Sequence, residues 1–345
     1  MTRLPLERLL KSPPARLALG RFPSPVTSHP GLARELGFES LVAKREDRNA
    51  DALGGNKLRA LEWILPAARK GIVTMGGFGS TYAATLSHYA RANGQRVAVA
   101  LFPQPWVAAV PATLGLTART GAVFLASSRW TMPFALIRAW RHVASSGRPT
   151  WLPAGGASPL GVLGSVNAAL EFVEQVEGGE AARPDAIVVP AGSSATVAGL
   201  LVGCWIAGWA VDVCAVRVSD AMFANRSRAL RLATAACRVL RHAGLDVRPA
   251  AARLRVLTTF LGQGYGIPTP AAEDARRRVE RDGMLLELTY GAKAFAALAS
   301  LSDSYRAPCF WHTFDARVAA GTEDTPLLRT ARAYAESLWP QPIST

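Results

Sequence analysis

A lysine near the start of a helical segment has the surroundings of a reactive amine. Lys57 follows Gly-Gly-Asn and precedes an amphipathic run that includes Leu58 and Leu61. The positive end of the helix dipole disfavours a protonated lysine at a helix N-terminus, so this amine suits a Schiff base with a carbonyl group. The two glycines would let the backbone approach a flat ring closely. An exposed lysine beside a helix cap is the commoner alternative, and this segment alone leaves both open.

A second segment, PAGSSATVAGL at 190–200, predicts a phosphate-binding turn. It follows an apolar strand and precedes a helical pattern, where small residues leave backbone N–H groups free to surround an anion. It lacks the G-x-x-x-x-G-K-[ST] pattern of nucleoside-triphosphate loops and the G-x-G-x-x-G pattern of dinucleotide folds. A compact phosphorylated cofactor fits better, and a plain strand-to-helix turn is the alternative. The residues that would form the turn are Gly192, Ser193, Ser194, Ala195 and Thr196.

Hydroxyl side chains supply the remaining candidate groups. Ser80 and Thr81 lie in MGGFGSTYAATLSH at another strand-to-helix turn, where they could bind a substrate carboxylate or simply cap the helix. Tyr265 is flanked by glycines and Tyr290 precedes Gly-Ala-Lys, so both could serve as acid–base or orienting groups. Lys293 is the rival amine, but its place inside a helical pattern favours a snorkelling lysine or one paired with a carboxylate.

The composition argues against several other classes of function. The 345 residues carry a formal charge of +14, which is spread along the chain and comes mostly from arginine. No zinc-finger spacing, RNA-binding signature or long basic run occurs, so we expect no nucleic-acid partner. The five histidines show no metal-ligand spacing, and we expect no metal. The four cysteines lack C-x-x-C spacing and predict buried thiols in a reducing cytoplasm.

The elements that must position these groups alternate between short apolar strands and helical patterns. This alternation predicts an α/β fold with mostly parallel sheets. A change near 153–159 predicts the return from one domain to another, with residues 1–55 and 156–345 in a large cofactor-binding domain and 56–155 in a smaller inserted one. Two uncharged stretches are broken by prolines or by Gly and Ser clusters, so we expect buried elements and no membrane span.

Taken together, these segments resemble the aminocyclopropane-carboxylate deaminase / D-cysteine desulfhydrase family. The matching text runs in family order from about residue 41 to residue 313 and comprises KRED, GGNKLRALE, GG-x-x-S before a helix, LPAGGASPLGVLGSVNAALE, DAIVVPAGSSATVAG, GQGYGIPTPAAE, GMLLELTYGAKAFAAL and a final His-Thr. Members are pyridoxal-phosphate (PLP) enzymes of the tryptophan-synthase-β fold type. The resemblance therefore implies a two-domain, three-layer α/β fold with mostly parallel sheets, and a homodimer.

The resemblance also implies a cofactor site. Lys57 would bind PLP covalently and move the substrate proton. Residues 192–196 would bind the phosphate, and Thr313 would face the pyridine nitrogen. Asn56 and Thr81 would complete the cofactor-binding set.

The substrate implied by the resemblance is a small amino acid. Ser80 would contact it, with Tyr265 and Tyr290 nearby. The implied reaction is ring opening or β-elimination, with release of ammonia and a keto acid.

Three departures from the family pattern limit what the resemblance implies. Family members generally have Gln-Ser-Asn-His where this chain has Gly-Ser-Thr-Tyr at 79–82, so Thr81 replaces the usual Asn partner of the PLP 3′-oxygen. The deaminases have Glu after the second tyrosine, where this chain has Gly291, which argues against cyclopropane opening. The glycines that usually follow His-Thr are replaced by Phe314 and Asp315, with Arg317 beyond, and we expect a reshaped cofactor end of the pocket.

The leading expectation is therefore a PLP-dependent lyase that performs a β-elimination similar to that of D-cysteine desulfhydrases. Loss of the deaminase glutamate favours this chemistry because an uncharged hydroxyl partner suits a neutral pyridine nitrogen. One alternative is a diverged PLP enzyme of a specialised pathway that performs replacement, racemisation or deamination. Another is a non-catalytic family member that binds PLP without turnover.

Overall fold

A computed structural model describes residues 4–145, 147–248, 250, 253–315 and 325–339. The chain divides into two compact units, Met1–Trp63 with Ala157–Ala316, and Ile64–Gly156 with Arg317–Thr345. The domain division expected from the sequence stays a prediction. In the described ranges, no helix combines the length and apolar character that crossing a membrane requires.

The described part of the chain contains strands and helices in alternation. The strands are β1 (Val26–Ser28), β2 (Val42–Arg45), β3 (Gly71–Gly77), β4 (Arg96–Phe102), β5 (Ala122–Leu125), β6 (Thr150–Trp151), β7 (Ala186–Ala191), β8 (Asp212–Arg217), β9 (Leu254–Leu257) and β10 (Pro308–His312). The α-helices are α1 (Pro5–Leu9), α2 (Pro30–Leu36), α3 (Asn56–Ile64), α4 (Thr81–Ala92), α5 (Ala109–Thr120), α6 (Met132–Ala144), α7 (Pro159–Glu177), α8 (Ala195–Ala207), α9 (Arg226–His242), α10 (Pro270–Glu280), α11 (Gly291–Ala296) and α12 (Pro326–Leu338).

The first unit is a three-layer α/β structure. Its sheet has the order β1-β2-β10-β7-β8-β9, and every neighbouring pair is parallel except β1 with β2. All six residues of β7 are buried, as expected of a strand covered on both faces. Helices α2, α10 and α11 pack on one face, and α7, α8 and α9 pack on the other. The predicted α/β class with mostly parallel sheets is confirmed.

The carboxyl ends of the central strands carry the segments singled out from the sequence. Residues 192–194 connect β7 to α8, and Thr313 directly follows β10. In parallel α/β sheets, ligands bind at this edge because the connecting loops and helix N-termini meet there.

The second unit contains a four-stranded parallel sheet with the order β5-β4-β3-β6. The chain moves outward from β3 to β5 and then returns past β3 to β6. Because such crossovers are right-handed, α4 and α5 lie on one face of the sheet and α6 lies on the other. On the α6 side, Val73 and Ala98 pack against Ala139 and Val143.

Candidate active site

The turn between β7 and α8 has an open helix N-terminus. Ser194 is the N-cap residue of α8, but its side chain does not cap the helix. Its Oγ donates to the carbonyl oxygen of Phe223 at 2.9 Å instead, and its backbone adopts a left-handed conformation with φ +67°. The N–H groups of the first helical turn have no intrahelical acceptor, so they remain available to an anion.

Side-chain caps are present on five other described helices and absent from α2, α5, α6 and α11, so the open end of α8 is informative because it lies at the carboxyl end of β7. The capping residues of α4, α7, α9, α10 and α12 are Ser80, Ser158, Asn225, Thr269 and Thr325. A non-glycine residue in the left-handed region costs free energy, and such strain is concentrated at ligand sites. The sequence places a serine where a cap would be expected, and the fold uses that serine to shape the turn.

Gly192 gives this turn its close contact with an aromatic ring. A Cβ atom at this position would lie 2.9 Å from Cε1 of Tyr290, so any larger residue would displace the ring. The carbonyl oxygen of Gly192 accepts a hydrogen bond from Ser219 Oγ at 2.6 Å, and that of Ser193 accepts one from Arg228 Nε at 3.3 Å. With these carbonyl groups bonded to neighbouring side chains, the turn has a defined shape.

Asn56 joins the start of α3 to two other segments of the first unit. Its side-chain Nδ2 donates to Thr196 Oγ1 at 2.7 Å, and its backbone N–H donates to the carbonyl oxygen of Thr313 at 2.9 Å. Gly55 has φ +124°, and a Cβ there would lie 2.5 Å from the same carbonyl oxygen. Lys57 is therefore next to a residue that binds both the α8 turn and the end of β10.

Lys57 itself is half-buried at the start of α3. Burial lowers the pKa of its amine from 10.5 to about 8. Desolvation disfavours the charged form, and a lysine with such a pKa is unprotonated often enough near neutral pH to act as a nucleophile or base.

Tyr265 and Tyr290 form a pair in the first unit. Their hydroxyl oxygens are 2.6 Å apart and their rings meet edge to face. Burial raises the pKa of Tyr265 to about 12 and raises that of Tyr290 well above its usual value. Both hydroxyls therefore stay protonated, and the pair can donate hydrogen bonds or supply a proton.

Two charged residues that the sequence did not assign to the site position this pair. The Glu287 carboxylate accepts hydrogen bonds from the backbone N–H groups of Thr289, Tyr290 and Gly291 at 2.6–3.0 Å. Glu287 thereby fixes the backbone at the start of α11. Burial raises the pKa of its carboxyl group despite these donors.

Lys293 anchors the other tyrosine. Its side chain is fully buried, and its Nζ donates to the carbonyl oxygens of Leu261 and Gly264 at 2.7 and 3.2 Å. Burial lowers its pKa to about 8 against the attraction of Glu287. The snorkelling role expected from the sequence is wrong, because Lys293 is fully buried. The expected carboxylate partner is present as the attraction to Glu287, while the hydrogen bonds of the amine go to backbone carbonyls of the loop that carries Tyr265.

A buried cluster of charged side chains supports α3 immediately beyond Lys57. Arg59 pairs with Glu46 and with Glu171 of α7, and Lys44 donates to Glu171 at 2.6 Å. Ser24 Oγ donates to Glu46 at 2.6 Å. Burial would raise the pKa of Glu171, but the charges of Arg59 and Lys44 outweigh this and lower it to about 2. The KRED segment, which contributed only to the resemblance, thus supplies part of this support.

The second unit carries the remaining candidates, Ser80 and Thr81, at the start of α4. Ser80 Oγ accepts from the N–H of Ala83 at 3.2 Å, so the predicted N-cap is present. The N–H of Gly79 donates to Gln104 Oε1 at 3.0 Å, and Gln104 is buried. These contacts order the turn after β3, and the hydroxyl hydrogen of Ser80 remains available to an acceptor.

Two of the three residues expected to reshape the cofactor end lie within the described residues. Phe314 is half-buried and forms an isolated antiparallel bridge with Gly55. Asp315 is buried. Arg317 lies outside the described residues. The segment after β10 therefore packs directly beside the loop that precedes Lys57.

Comparison with known proteins identifies the family. A family model described as pyridoxal-phosphate dependent enzyme matches residues 17–313. The chain belongs to the pyridoxal-phosphate-dependent enzymes. It is 32% identical over 315 residues to a D-cysteine desulfhydrase of Salmonella typhi, and the aligned region covers 86% of this chain and 90% of that protein. A D-cysteine desulfhydrase of Salmonella paratyphi B is 31% identical over the same shares.

Solved structures show the same fold. The crystal structure of an ACC deaminase homologue superposes with a TM-score of 0.76 at 24% identity, covering 97% of this chain and all of that one. A fungal L-serine ammonia-lyase from Rhizomucor miehei has a TM-score of 0.58 at 18% identity, with 93% of this chain and 98% of that chain covered. The expected tryptophan-synthase-β-like fold type is confirmed.

The residues of the first unit fit the family's cofactor. PLP needs an amine, an anion site at a short distance from it and a flat space for its ring. The half-buried amine of Lys57, the open N-terminus of α8 and the hydrogen bond between Asn56 and Thr196 meet the first two needs. Gly192 has no side chain beside Tyr290, so the flat cofactor ring could lie close to the backbone there, which meets the third need. The assignment of individual residues to the cofactor stays a prediction.

Proposed function

We propose that this protein is a PLP-dependent lyase that eliminates the β-substituent of a small amino acid similar to D-cysteine. The observation that carries the proposal is the 32% identity to a D-cysteine desulfhydrase over most of both chains, combined with the site in the first unit. For D-cysteine itself, the amino acid and water would give pyruvate, hydrogen sulfide and ammonia. The cytoplasm, where a reducing environment maintains buried thiols, is the compartment we propose for it.

Lys57 would bind the cofactor covalently and would also transfer the Cα proton of the substrate. PLP held at this site would supply an electron sink that makes the Cα–H bond of the substrate acidic. When it is not attached to the cofactor, the Lys57 amine would take the Cα proton. Its pKa of about 8 supports this role, because a base should titrate near the working pH.

The tyrosine pair would assist departure of the thiol. Both phenols remain protonated at neutral pH because burial raises the pKa of Tyr265 and Tyr290. One of the two hydroxyls donates to the other, so the proton of the accepting hydroxyl is not used in this bond. We therefore assign the pair a donor role towards the leaving sulfur or the substrate carboxylate, and not the role of base.

The remaining predicted contacts concern binding. Residues 192–196 would bind the cofactor phosphate at the open end of α8, with Asn56 fixing Thr196. Thr313 would face the pyridine nitrogen. In the second unit, Ser80 would donate to the substrate carboxylate and Thr81 would replace the Asn partner of the cofactor 3′-oxygen.

Gly291 supports elimination over cyclopropane opening. Its amide N–H donates to Glu287, and a Cβ there would lie 3.2 Å from Leu286 Cδ2 and 3.6 Å from Glu287 Oε1. A deaminase-type glutamate at this position would lie beside another carboxylate and against a leucine. A side chain here would therefore require Leu286 to shift and would bring a second carboxylate close to Glu287.

Product analysis tests the proposal. Purified holoenzyme is incubated with D-cysteine, L-cysteine and aminocyclopropane carboxylate, and keto acid, sulfide and ammonia are measured. We expect the three products from D-cysteine in equal amounts, none from Lys57→Ala, and unchanged rates in Lys70→Ala, a matched variant at an exposed lysine. Keto acid from aminocyclopropane carboxylate alone would overturn the elimination proposal. No product from any of the three would favour the diverged or non-catalytic alternatives.

We also propose that the enzyme is a homodimer, as implied by the resemblance to its family. Sedimentation equilibrium of the holoenzyme tests this directly. Twice the chain mass of 36.6 kDa is the expected result, and a concentration-independent single-chain mass would contradict it.

A further inference from the structure

Helix α6 of the second unit presents an apolar surface to solvent. The exposed fractions of Trp130, Phe134, Ile137 and Trp140 are 77%, 69%, 48% and 38%. These residues recur at intervals of three and four, so they form one continuous stripe along the helix and the turn before it. Large apolar patches of this kind mark interaction sites.

The opposite side of α6 is occupied by its own sheet. Met132, Ala135, Ala139 and Val143 are buried there. Large apolar residues therefore lie on both sides of α6, although its exposed part also carries Arg138 and Arg141. Within the described structure only one side is covered.

A third exposed tryptophan extends the stripe onto the sheet edge. Trp151 lies on the edge strand β6 with 42% of its surface exposed. Its register partner in β3 is Val73, which packs against Ala139 and Val143 of α6, so Trp151 shares the sheet face that α6 covers. We call Trp130, Phe134, Ile137, Trp140 and Trp151 the α6 face.

The segment that contains the α6 face carries formal charge of one sign. Residues 63–170 contain neither Asp nor Glu, although 25 of the 345 residues of the chain are acidic. At that frequency, residues 64–156 would contain about seven acidic residues, and they contain nine Lys and Arg instead. Arg129, Arg138, Arg141 and Arg148, which lie in this segment of the chain, are exposed.

This charge distribution selects among possible occupants. A second copy docked face to face would bring arginines against arginines, which opposes a symmetric interface. A partner protein of ordinary size needs complementary charge over only about 800 Å² of each surface. Here acidic residues are missing from the whole segment, including α4 and α5 on the other side of the sheet. An absence of acidic residues over so long a segment is consistent with long-range attraction to an extended anionic plane.

We propose that the α6 face binds peripherally to membranes rich in anionic phospholipid. Tryptophan and phenylalanine insert at the boundary between headgroups and acyl chains, while arginines contact the phosphate groups. This mode needs no spanning helix. It is independent of the reaction assigned to the first unit.

Vesicle co-sedimentation of the holoenzyme tests the proposal. The probes are vesicles of phosphatidylcholine alone and of equal parts phosphatidylcholine and phosphatidylglycerol. We expect binding to the anionic vesicles to be about tenfold or more tighter, and to weaken as salt is raised. Phe134→Ser with Ile137→Ser should reduce binding about tenfold, because two inserted apolar side chains are lost.

A matched control and three contrary outcomes make the test decisive. Leu338→Ser removes a comparably exposed apolar side chain from α12, at 48% exposed, and should leave vesicle binding unchanged. Thermal melting and cofactor absorbance establish that each variant is folded. Equal binding to both vesicle types, or undiminished binding by the double variant, would overturn the proposal. So would conversion of a dimer to a monomer by the double variant, or preferential binding of duplex DNA.

Discussion

The amine of Lys57 is positioned by the residues on either side of it. Asn56 binds Thr196 and Thr313, and Arg59 pairs with two buried carboxylates. The side chain of Lys57 is left free to extend from the start of α3, where burial lowers its pKa. A reactive amine is thus fixed through its backbone, which leaves its nitrogen available for chemistry.

The lowered pKa of Lys57 predicts how the apoprotein takes up PLP. Only the unprotonated amine attacks the cofactor aldehyde, so the rate of uptake should rise with pH up to about 8 and level off above it. With the ordinary pKa of 10.5, the rate would continue to rise beyond pH 9. Stopped-flow absorbance of the apoprotein mixed with PLP measures the profile. Because Lys293 also has a pKa of about 8, the variant Lys293→Met is needed to attribute the profile to Lys57. We expect this variant to preserve the pH profile of PLP uptake.

The buried position of Lys293 predicts that replacing it lowers turnover without affecting cofactor binding. Lys293→Met removes both hydrogen bonds to the loop of Tyr265, and a displaced hydroxyl should lower kcat about tenfold to a hundredfold. Cofactor absorbance should stay unchanged, because Lys293 does not touch the α8 turn. Steady-state kinetics with the visible spectrum measure both. Lys70→Met is the exposed control, and an unaltered kcat in Lys293→Met would refute the positioning role.

Among individual residues, the sequence predicts site candidates that have distinctive neighbours in the chain. Lys57 and the residues after β7 are recognisable because glycines and small residues adjoin them. The role of Lys293 is not recognisable from sequence, because its partners Leu261 and Gly264 lie about thirty residues away and contribute only backbone carbonyls, which every residue possesses.

Among the elements, α8 is the one to which we assign the phosphate of the cofactor. It is apolar and buried along most of its length, and its open N-terminus follows a fully buried strand. The pattern of apolar strand, small residues and apolar helix predicts this geometry from sequence. The left-handed Ser194 is not predictable, because serine at that position ordinarily caps a helix.

The contact between the α8 turn and Tyr290 predicts a cost for any side chain at position 192. Gly192→Ala places a methyl group 2.9 Å from the ring, so the turn or Tyr290 must move. We expect the affinity for PLP to fall about tenfold, as measured by fluorescence titration of the apoprotein. Gly31→Ala, where nothing lies within 4 Å, is the control. Equal affinities in the two variants would contradict the predicted role of this turn.

On the scale of the whole molecule, the buried charge cluster connects segments that are distant in the chain. Ser24, Glu46, Arg59 and Glu171 come from four separate parts of the first unit. The sequence shows KRED as a charged run in an apolar strand, and it does not show which partners neutralise it. The alternation of strands and helices predicts the layers, whereas pairing across 112 residues depends on the completed fold.

This cluster predicts a large loss of stability when one member is removed. Arg59→Met leaves Glu46 and Glu171 buried without their shared partner, which should lower the free energy of unfolding by about 3–5 kcal/mol. Arg8→Met removes an ion pair with Glu174 whose side chains are about half exposed, and should cost less than about 1 kcal/mol. Urea denaturation of both variants measures the difference. Similar losses in the two would show that the cluster does not stabilise the unit.

The central claim is that PLP is bound covalently to Lys57, and chemical trapping tests it most directly. The holoenzyme is reduced with borohydride, digested and mapped by mass spectrometry. We predict a pyridoxyl group on the peptide that contains Lys57, accompanied by loss of the visible absorbance at about 420 nm that a lysine-bound PLP gives. A pyridoxyl group on Lys293 or Lys44, or no labelled peptide in a protein supplied with PLP, would contradict the claim.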